Sequence, residues 1–543
     1  MKIMVIGGTG AFGARLCDLL WRDGHDVTIA SRRKPTAGDP AGRGRVMRNG
    51  NKAPNLADFK HLKFDRDGPL TGFDTFDVIV DAAGPFHAYG TDPYRVPKAA
   101  IAAGAHYFDL CDNADFCQGI NVLSRDAKVA GVCVYSGMSS VPAISSAVVD
   151  GLRGDARPLA IETAILPGNK APRGRAVVES ILDQTGRYYT EKQGGSDIDV
   201  RSWSDPKTYD FGGYRRQGWR IEVPDQRLFP DHFDCPNVSF RAGLELGVMR
   251  YGLGLLSYLR SKLDFGITDW FVSLMTFGAR VLAPFGTDRG GMIVQIDLAQ
   301  GNEVKRKSWI MRATNGDGPY TPAIAIRAAC RDISSLPHGA GPALSLISLD
   351  KIEACFDDLN IETQITEAEC IPMFRQVLGA DMDRLPAAVK ATHDAVTTRR
   401  FKGLARVTRG NGLQARVAAA LFGFPPSADE IEVEVTKTPT PNGETWVRRF
   451  GRATFQSHLR ARSSGMTERF GAMTFELDLQ VQGGKLHFPV KRGRMWGIAI
   501  PRMLLPQSIA TEAVIDGTFH FDVHLKAPTG ATLIHYQGWL KPV

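Results

Sequence analysis

The chain begins with MKIMVIGGTGAFGARLCDLL, which are residues 1–20. An apolar run leads into Gly7, Gly10 and Gly13, and leucines at helical spacing follow. In a strand–turn–helix unit of this kind, the first glycine allows a sharp turn, the second lets a pyrophosphate approach the backbone, and the third lets the helix pack on the sheet. The stretch predicts a dinucleotide-binding turn with the phosphates at the amino terminus of the helix, the alternative being a glycine-rich turn without a ligand.

The end of the second predicted strand, over residues 27–31, distinguishes the two nicotinamide coenzymes. An NAD site usually has an aspartate or glutamate there, which accepts hydrogen bonds from the ribose hydroxyls. This chain instead has Ser31, Arg32 and Arg33, followed by a lysine. Guanidinium groups form bidentate hydrogen bonds with phosphates. We therefore predict a site for the 2′-phosphate of NADP, the alternative being a solvated basic loop.

Strand and helix patterns divide the chain into three predicted domains. Residues 1–150 alternate strands with helices, which predicts an α/β Rossmann domain with a doubly wound parallel sheet. Residues 151–360 mix strands with amphipathic helices and predict an α+β domain for substrate binding or dimerisation. Residues 365–543 contain long alternating runs joined by tight turns, and predict an antiparallel β-rich domain that folds as a curved sheet or partial barrel.

Composition and charge narrow the range of functions. The 543 residues carry a formal net charge of +8 and contain eight cysteines. The cations are dispersed and no nucleic-acid-binding motif is present, so we expect no nucleic-acid partner. The first residues do not have the pattern of a signal peptide, and the cysteines form no CxxC pair. We therefore expect a cytoplasmic protein without structural disulfides or a metal site.

Residues 252–285 form a long apolar stretch that five charged residues interrupt. A membrane-spanning helix needs roughly 20 nearly uncharged apolar residues, so we expect this stretch not to cross a bilayer. Two amphipathic helices, broken near Gly266, are predicted instead. They cover a sheet or the subunit interface of a homodimer, or they make peripheral contact with a membrane through Trp270, Phe271 and Phe277.

Four motifs in the first 150 residues resemble the saccharopine dehydrogenase (saccharopine reductase) family of NAD(P)-dependent oxidoreductases. They are GGTGAFG at 7–13, DAAGPF at 81–86, YFDL at 107–110 and SGMSSVP at 136–142. Residues 151–360 are similar to bacterial saccharopine dehydrogenase-like proteins, chiefly through GTDRGGM at 286–292. Residues 365–543 resemble the C-terminal domain of unknown function often fused to such proteins, through FGRATFQS at 450–457 and YQGWL at 536–540.

The resemblance implies where the nicotinamide ring lies, namely near the loop after the fourth strand. This agrees with the rule that ligands bind at the carboxyl ends of parallel strands. The acid that ends the third strand could approach the adenine. The predicted coenzyme contacts are then Gly7, Thr9, Gly10, Ala11, Phe12, Gly13, Ser31, Arg32, Arg33, Asp65, Ala83, Gly84, Pro85 and Phe86. Because Met138-Ser139-Ser140 replaces an acid that the family usually has, we expect a substrate other than saccharopine.

Hydride transfer often requires a side chain that moves a proton. His87 and Tyr89 directly follow the predicted nicotinamide loop, so we predict them as the catalytic residues. Tyr107, Asp109 and Asp112 are further candidates at strand ends. For each of these side chains the alternative is a hydrogen-bonded loop residue without a catalytic role.

Two other patterns resemble known sites, and we interpret both as coincidental. Tyr94 and Lys98 have the Tyr-x-x-x-Lys spacing of short-chain dehydrogenases, but they follow the wrong strand and a proline lies between them. His520, Asp522 and His524 alternate along one predicted strand, which places them on one face. Such a face could hold a metal, but a solvated face of a half-buried strand is the simpler interpretation.

These observations predict an NADP-dependent oxidoreductase of the saccharopine dehydrogenase-like type with an unidentified small-molecule substrate. The substrate would carry an imine, enamine, ketone or enoyl group. The amphipathic helices and the β-rich domain motivate a lipid-like substrate. The alternative is a non-catalytic NADP-binding protein that interacts with a membrane surface.

Overall fold

The computed structural model describes residues 1–36, 55–86, 89–172, 175–263, 265–300, 303–440, 443–462, 465–501, 503 and 505–543. Contacts divide these residues into two compact units. The first unit consists of Met1–Lys192, Asp197–Leu298 and Arg306–Ala368. The second consists of Gln193–Ser196, Ala299–Lys305 and Glu369–Val543.

The amino-terminal part of the first unit alternates strands and helices, as predicted. Its elements are β1 (Lys2–Ile6), α1 (Gly13–Arg22), β2 (Asp26–Ser31), β3 (Lys60–Lys63), β4 (Val78–Asp81), α2 (Arg95–Ala102), β5 (His106–Asp109), α3 (Ala114–Gly119), α4 (Ser124–Ala130), β6 (Cys133–Ser136) and α5 (Ser145–Arg153). Every residue of β4 and β6 is buried, which is typical of a parallel sheet covered on both faces. The predicted boundary at residue 150 falls inside α5.

The second part of the first unit is a mixed sheet with helices. Its elements are β7 (Pro158–Leu166), α6 (Arg175–Gln184), β8 (Tyr188–Gln193), β9 (Ser196–Arg201), β10 (Lys207–Asp210), β11 (Arg215–Arg220), α7 (Pro224–His232), β12 (Val238–Ala242), α8 (Gly247–Leu263), α9 (Asp269–Leu282), β13 (Gly290–Gln300), β14 (Glu303–Ala313), α10 (Ile324–Arg331), β15 (Gly339–Pro342), α11 (Leu349–Glu353) and β16 (Ile361–Glu369). The sheet runs β10-β11-β12-β7-β13-β14-β16 and combines parallel with antiparallel pairs.

The chain then returns to the first sheet. Strand β15 pairs in parallel with β6, which completes a sheet of seven parallel strands within the described residues, in the order β15-β6-β5-β4-β1-β2-β3. The guanidinium of Arg327 in α10 lies 2.8 Å from Asp23, just after α1, and 2.6 Å from Asp358. The predicted doubly wound fold is confirmed, and its strand order reverses between β1 and β4, where such sheets bind ligands.

The second unit contains short helices and a large antiparallel sheet. Its elements are α12 (Met373–Leu378), α13 (Ala387–His393), β17 (Arg399–Arg409), α14 (Leu413–Phe422), β18 (Ala428–Thr440), β19 (Gly443–Phe450), β20 (Ala453–Arg462), β21 (Gly465–Phe470), β22 (Met473–Leu477), β23 (Gln480–Gln482), β24 (Lys485–His487), β25 (Val490–Met495), β26 (Ile498–Ala499), β27 (Gln507–Ile515), β28 (Thr518–Lys526) and β29 (Thr532–Pro542). The antiparallel β-rich fold is confirmed.

This sheet closes on itself, whereas the sequence predicted a curved sheet or partial barrel. Strands β22–β23 and β24–β25 are the two arms of one bent hairpin, paired from Met473 opposite Met495 to Gln482 opposite Lys485. One arm pairs with β21 through β22, and the other pairs with β27 through β24. Strand β17 pairs with β29. Within the described residues, ten strands therefore follow one another around a closed barrel in chain order.

Candidate functional site

The predicted phosphate turn lies at the reversal point of the first sheet. Gly7 has a φ of +75°, and a Cβ there would lie 2.9 Å from the carbonyl oxygen of Ala82 in the loop after β4. A Cβ on Gly13 would collide with the carbonyl oxygen of Gly7. Gly10 differs, because the only atom within 4 Å of a Cβ there, among the described residues, would be the Gly7 oxygen at 3.1 Å. Gly7 and Gly13 therefore permit close backbone contacts. A Cβ at Gly10 would be tight against the Gly7 oxygen but would face open space on its other sides.

The amino terminus of α1 has the polarity that a phosphate requires. Its N-cap residue is Phe12, whose side chain cannot accept a hydrogen bond from the first turn. The first turn of a helix has amide groups without an intrahelical partner and the positive end of the helix dipole. Thr9, Ala11 and Phe12 are partly exposed around this turn, and Gly10 is exposed. The residues of the turn thus fit a pyrophosphate group.

The residues predicted to select the coenzyme lie at the same edge of the sheet. Ser31 ends β2, and Arg32 and Arg33 follow it on the surface. The Ser31 hydroxyl donates a 2.7 Å hydrogen bond to the carbonyl oxygen of Arg33 and lies 3.2 Å from Nε2 of His61, a neighbour that sequence reasoning missed. Asp65, shortly after β3, is exposed and accepts a hydrogen bond from the amide of its second neighbour.

The predicted nicotinamide loop follows β4 and lies against the phosphate turn. Ala83, Gly84 and Pro85 are half-buried, and Phe86 is buried. The ring of Phe86 packs at centroid distances of 4.9 Å on Tyr89 and 5.3 Å on Phe116. The loop therefore joins the reversal point to an aromatic cluster.

Of the two predicted catalytic residues, Tyr89 lies in this cluster and His87 lies outside the described residues. The hydroxyl oxygen of Tyr89 is buried and has no hydrogen-bond partner among the described residues. Burial, together with the nearby charge of Asp81, raises the pKa of the Tyr89 hydroxyl strongly. The phenol is therefore neutral and has a proton available for a hydrogen bond.

A buried group of charged side chains lies behind the aromatic cluster. Asp81 and Asp109 end the neighbouring strands β4 and β5 and are register partners. Nε of Arg66 lies 3.1 Å from Oδ2 of Asp81 as an ion pair. The Arg66 guanidinium also lies over the ring of Tyr89. Sequence reasoning missed Arg66 and Asp81, although Asp81 begins one of the quoted motifs. An acid at the carboxyl end of a buried strand was the signal that could have found it.

Asp109 connects the loops that follow β5 and β6. Its Oδ1 accepts hydrogen bonds from the amide of Gly137 at 2.8 Å, the amide of Cys111 at 3.0 Å and the hydroxyl of Ser136 at 2.9 Å. Burial raises the pKa of its carboxyl from 3.8 to about 7, although these hydrogen bonds oppose the increase. Asp109 is thus a positioning residue whose carboxyl is largely protonated below neutral pH.

A pocket of about 290 Å³ opens beside the nicotinamide loop. Its lining combines aromatic rings with an amide and a carboxylate, from Phe86, Tyr89, Gly90, Pro93, Tyr94, Asn113, Asp115 and Phe116. Its volume is close to the lower end of the range of about 300–1,000 Å³ common for small-molecule sites. The pocket is the candidate substrate site because it adjoins the end of β4.

Side chains of the Tyr94/Lys98 pattern and of the His520/Asp522/His524 pattern contact ordinary neighbours in the structure. The hydroxyl of Tyr94 donates to the carbonyl oxygen of Phe116 at 3.1 Å, whereas Nζ of Lys98 lies 2.9 Å from Asp92. On β28, Asp522 lies 2.8 Å from Nε2 of His535. No group of three or more potential metal ligands occurs among the described residues.

The predicted amphipathic pair corresponds to α8 and α9, and the break near Gly266 is correct. Both helices expose apolar side chains at helical spacing, which include Leu255, Trp270 and Phe277 with exposed fractions of 60%, 71% and 64%. None of the helices in the described ranges combines the length and the apolar character that crossing a bilayer requires.

Comparison with known proteins gives a family match to the carboxyl-terminal part of the chain and structural matches of low sequence identity. A family model described as a domain of unknown function (DUF4166) matches residues 385–540, which form most of the barrel. No curated protein matches the sequence. A solved structure of saccharopine dehydrogenase (L-Glu forming) from Saccharomyces cerevisiae is 13% identical, with a TM-score of 0.45, over 68% of this chain and 99% of that chain.

Two further solved structures are similar over a comparable length. A probable dehydrogenase from Thermotoga maritima is 12% identical, with a TM-score of 0.28, over 65% of this chain and 93% of that chain. A dehydrogenase from Clostridium difficile is 9% identical, with a TM-score of 0.28, over 65% of this chain and 96% of that chain.

The buried carboxyl of Asp109 gives the stability of the protein a defined pH dependence. The folded chain binds this proton more tightly than the unfolded chain, so the wild type should lose stability as the pH rises from about 4 to about 7. Asp109→Asn keeps an acceptor oxygen and does not titrate. We expect the thermal midpoint of the wild type, relative to this variant, to fall across that window and then level off. A difference that does not change with pH would contradict the assignment.

Proposed function

We propose that the protein is an NADP-dependent oxidoreductase of the saccharopine dehydrogenase-like type. The observation that carries this proposal is the glycine turn at the reversal point of the parallel sheet, where Gly10 leaves space for a pyrophosphate beside the amino terminus of α1. The amides of that helix would hold the pyrophosphate, Arg32 and Arg33 the 2′-phosphate, and the Ala83–Phe86 loop the nicotinamide ring. When bound, the coenzyme supplies or accepts a hydride.

The chain's own residues would orient the substrate and control its proton. Tyr89 lines the pocket beside the nicotinamide loop, and its neutral hydroxyl is buried behind the pocket wall. After a movement of this side chain toward the pocket, the hydroxyl would donate a hydrogen bond to a carbonyl or imine group of the substrate. The Arg66 guanidinium keeps the Tyr89 ring in place, and Asp109 fixes the loops that follow β5 and β6. His87 remains the predicted second catalytic residue.

The aromatic lining supports a substrate with an apolar part. Phe86, Tyr94 and Phe116 present ring surfaces to the pocket, whereas Asn113 and Asp115 supply polar atoms. Such a lining favours a ketone, imine or enoyl group on an apolar or lipid-like body over a small dicarboxylate, because the pocket lining contains no Lys or Arg among the described residues.

A second candidate is a non-catalytic NADP-binding protein that associates with a membrane surface. The exposed apolar faces of α8 and α9 favour it, since contiguous exposed apolar patches mark interaction sites. The same faces would also suit the subunit interface of a homodimer. Stopped-flow measurement of NADPH oxidation with a panel of carbonyl and imine substrates distinguishes the oxidoreductase from the binding protein. The binding protein would retain NADPH without turnover.

Gly10→Val tests the phosphate turn directly. The valine would occupy the space assigned to the pyrophosphate, so NADPH affinity should fall by about a hundredfold or more, as expected for the loss of two charge-assisted hydrogen bonds. Fluorescence titration with NADPH measures the affinity, and the thermal midpoint reports on the fold. Gly213→Val is the control, because a Cβ at Gly213 meets no described atom within 4 Å and the residue lies in the turn between β10 and β11. Unchanged NADPH affinity in Gly10→Val would refute the assignment of the glycine turn as the pyrophosphate site.

Replacing Arg32 and Arg33 by alanine tests the choice of coenzyme. We expect NADPH affinity to fall about tenfold or more while NADH affinity changes little, because only NADPH has the 2′-phosphate. Lys2→Ala/Lys60→Ala removes the same charge from the opposite, amino edge of the sheet and is the control. Titration of both variants with both coenzymes gives the comparison, and equal losses for NADPH and NADH would contradict the 2′-phosphate site.

A further inference from the structure

The barrel of the second unit encloses a cavity that its own side chains do not fill. The volume of this cavity is about 140 Å³. An apolar cavity of roughly 150 Å³ already binds a small hydrocarbon. Barrels of eight strands can hold one small ligand, and the interior widens as strands are added. A barrel with the circumference observed here therefore has room for an organic molecule.

The cavity wall is largely aromatic and aliphatic. Inward-facing positions alternate with outward ones along each strand, so that Phe455, Ser457 and Leu459 of β20 are more buried than their outward neighbours. The pocket of about 290 Å³ in the first unit lies among different residues, so the two cavities are separate. Rings provide much of the wall of the barrel cavity, namely those of Phe422, Trp446, Phe455, Phe475, Phe488 and Tyr536.

The charged residues of the wall are already paired with one another or with the helix next to the barrel. Nη2 of Arg448 lies 3.1 Å from Glu468, and Nη1 of Arg448 donates a 2.8 Å hydrogen bond to Ser457. Glu512 contacts the ring of His393 at the end of α13. The wall therefore carries one cation and two carboxylates, and the cation is committed to Glu468. An anionic ligand would find no unpaired cation among the described lining residues, and a buried charge without an opposite partner is unfavourable.

Neutral polar groups in the same wall can bind an uncharged polar end of a ligand. The hydroxyl of Ser508 lies on β27, on the same face as Ala510, and that of Tyr536 lies on β29. Burial raises the pKa of Tyr536 to about 12, so its hydroxyl stays protonated at physiological pH. Hydroxyl groups both donate and accept hydrogen bonds, which suits an alcohol, ester or amide.

We propose that the barrel is a binding site for a neutral amphiphile, that is, a hydrocarbon chain or ring system with an uncharged polar end. The apolar part lies against the rings of the cavity and removes their surface from water. The polar end reaches the hydroxyl groups of β27 or β29. The barrel cavity is lined by other residues than the candidate coenzyme site. The proposal therefore does not depend on whether the protein is an oxidoreductase.

Displacement of the neutral dye Nile red from the full-length chain tests this proposal. Dodecanol, dodecanoate and dodecylammonium share one hydrocarbon chain and differ in charge. Dodecanol is titrated below its solubility limit, and the two ions are titrated below their critical micelle concentrations. We expect dodecanol to displace the dye more than about tenfold better than dodecanoate, because burying an unpaired carboxylate is costly. Native mass spectrometry should show one dodecanol per chain. Equal or better displacement by either charged compound would overturn the assignment to a neutral ligand.

A pair of tryptophan substitutions on β27 locates the site. Ala510 lines the cavity, whereas its neighbour Ile509 points outward with an exposed fraction of 55%. Ala510→Trp should weaken Nile red binding by about tenfold or more, since it fills the cavity, and Ile509→Trp should not. Val523→Phe, at the register partner of Ala510, serves as a second cavity-filling variant if Ala510→Trp does not fold. Unchanged binding in a folded cavity-filling variant would place the dye elsewhere and overturn the proposal.

Discussion

The close approach of two backbone segments at the centre of the parallel sheet is the constraint on which the candidate site depends. Gly7, at the end of β1, lies against the carbonyl of Ala82 after β4, and any side chain at Gly7 would separate them. Both segments leave the sheet at its carboxyl edge, where the strand order reverses and a crevice forms. The glycine turn, the basic end of β2 and the loop of Ala83–Phe86 therefore converge at one edge.

Two buried carboxyl groups connect the loops at this edge. Asp81 and Asp109 end adjacent strands. Asp81 accepts a hydrogen bond from the amide of Ala83 and forms an ion pair with Arg66, and Asp109 accepts hydrogen bonds from the backbone after β5 and β6. Removing a hydrogen-bond donor from a buried carboxyl group costs more than an exposed contact contributes, so we expect these loops to have few alternative conformations. The pocket beside Tyr89 adjoins these loops, so a substrate in the proposed site would contact a hydrogen-bonded part of the fold.

Local sequence patterns predicted the fold class of both units. The position of Arg66 and the closure of the barrel depend on contacts between residues distant in sequence. The glycine turn and the strands around it were readable because each depends on residues close in sequence. The contacts of Arg66 could not be predicted, because this residue lies in a loop and meets Tyr89 and Asp81 only in the folded chain. Closure of the barrel was also not predictable, since it depends on pairing between the first and last strands, such as Phe401 opposite Pro542. Alternation along a strand identifies its inner face but not its neighbour.

The central claim is that the glycine turn before α1 binds the pyrophosphate of NADPH. Determining a crystal structure of the protein with NADPH would test this claim most directly. The account predicts that the pyrophosphate contacts the amides at the amino terminus of α1, next to Gly10. It also predicts that the 2′-phosphate contacts Arg32 or Arg33, and that the nicotinamide ring lies on the Ala83–Phe86 loop facing Tyr89. Coenzyme bound at another place, or a glycine turn without coenzyme at saturating NADPH, would contradict it.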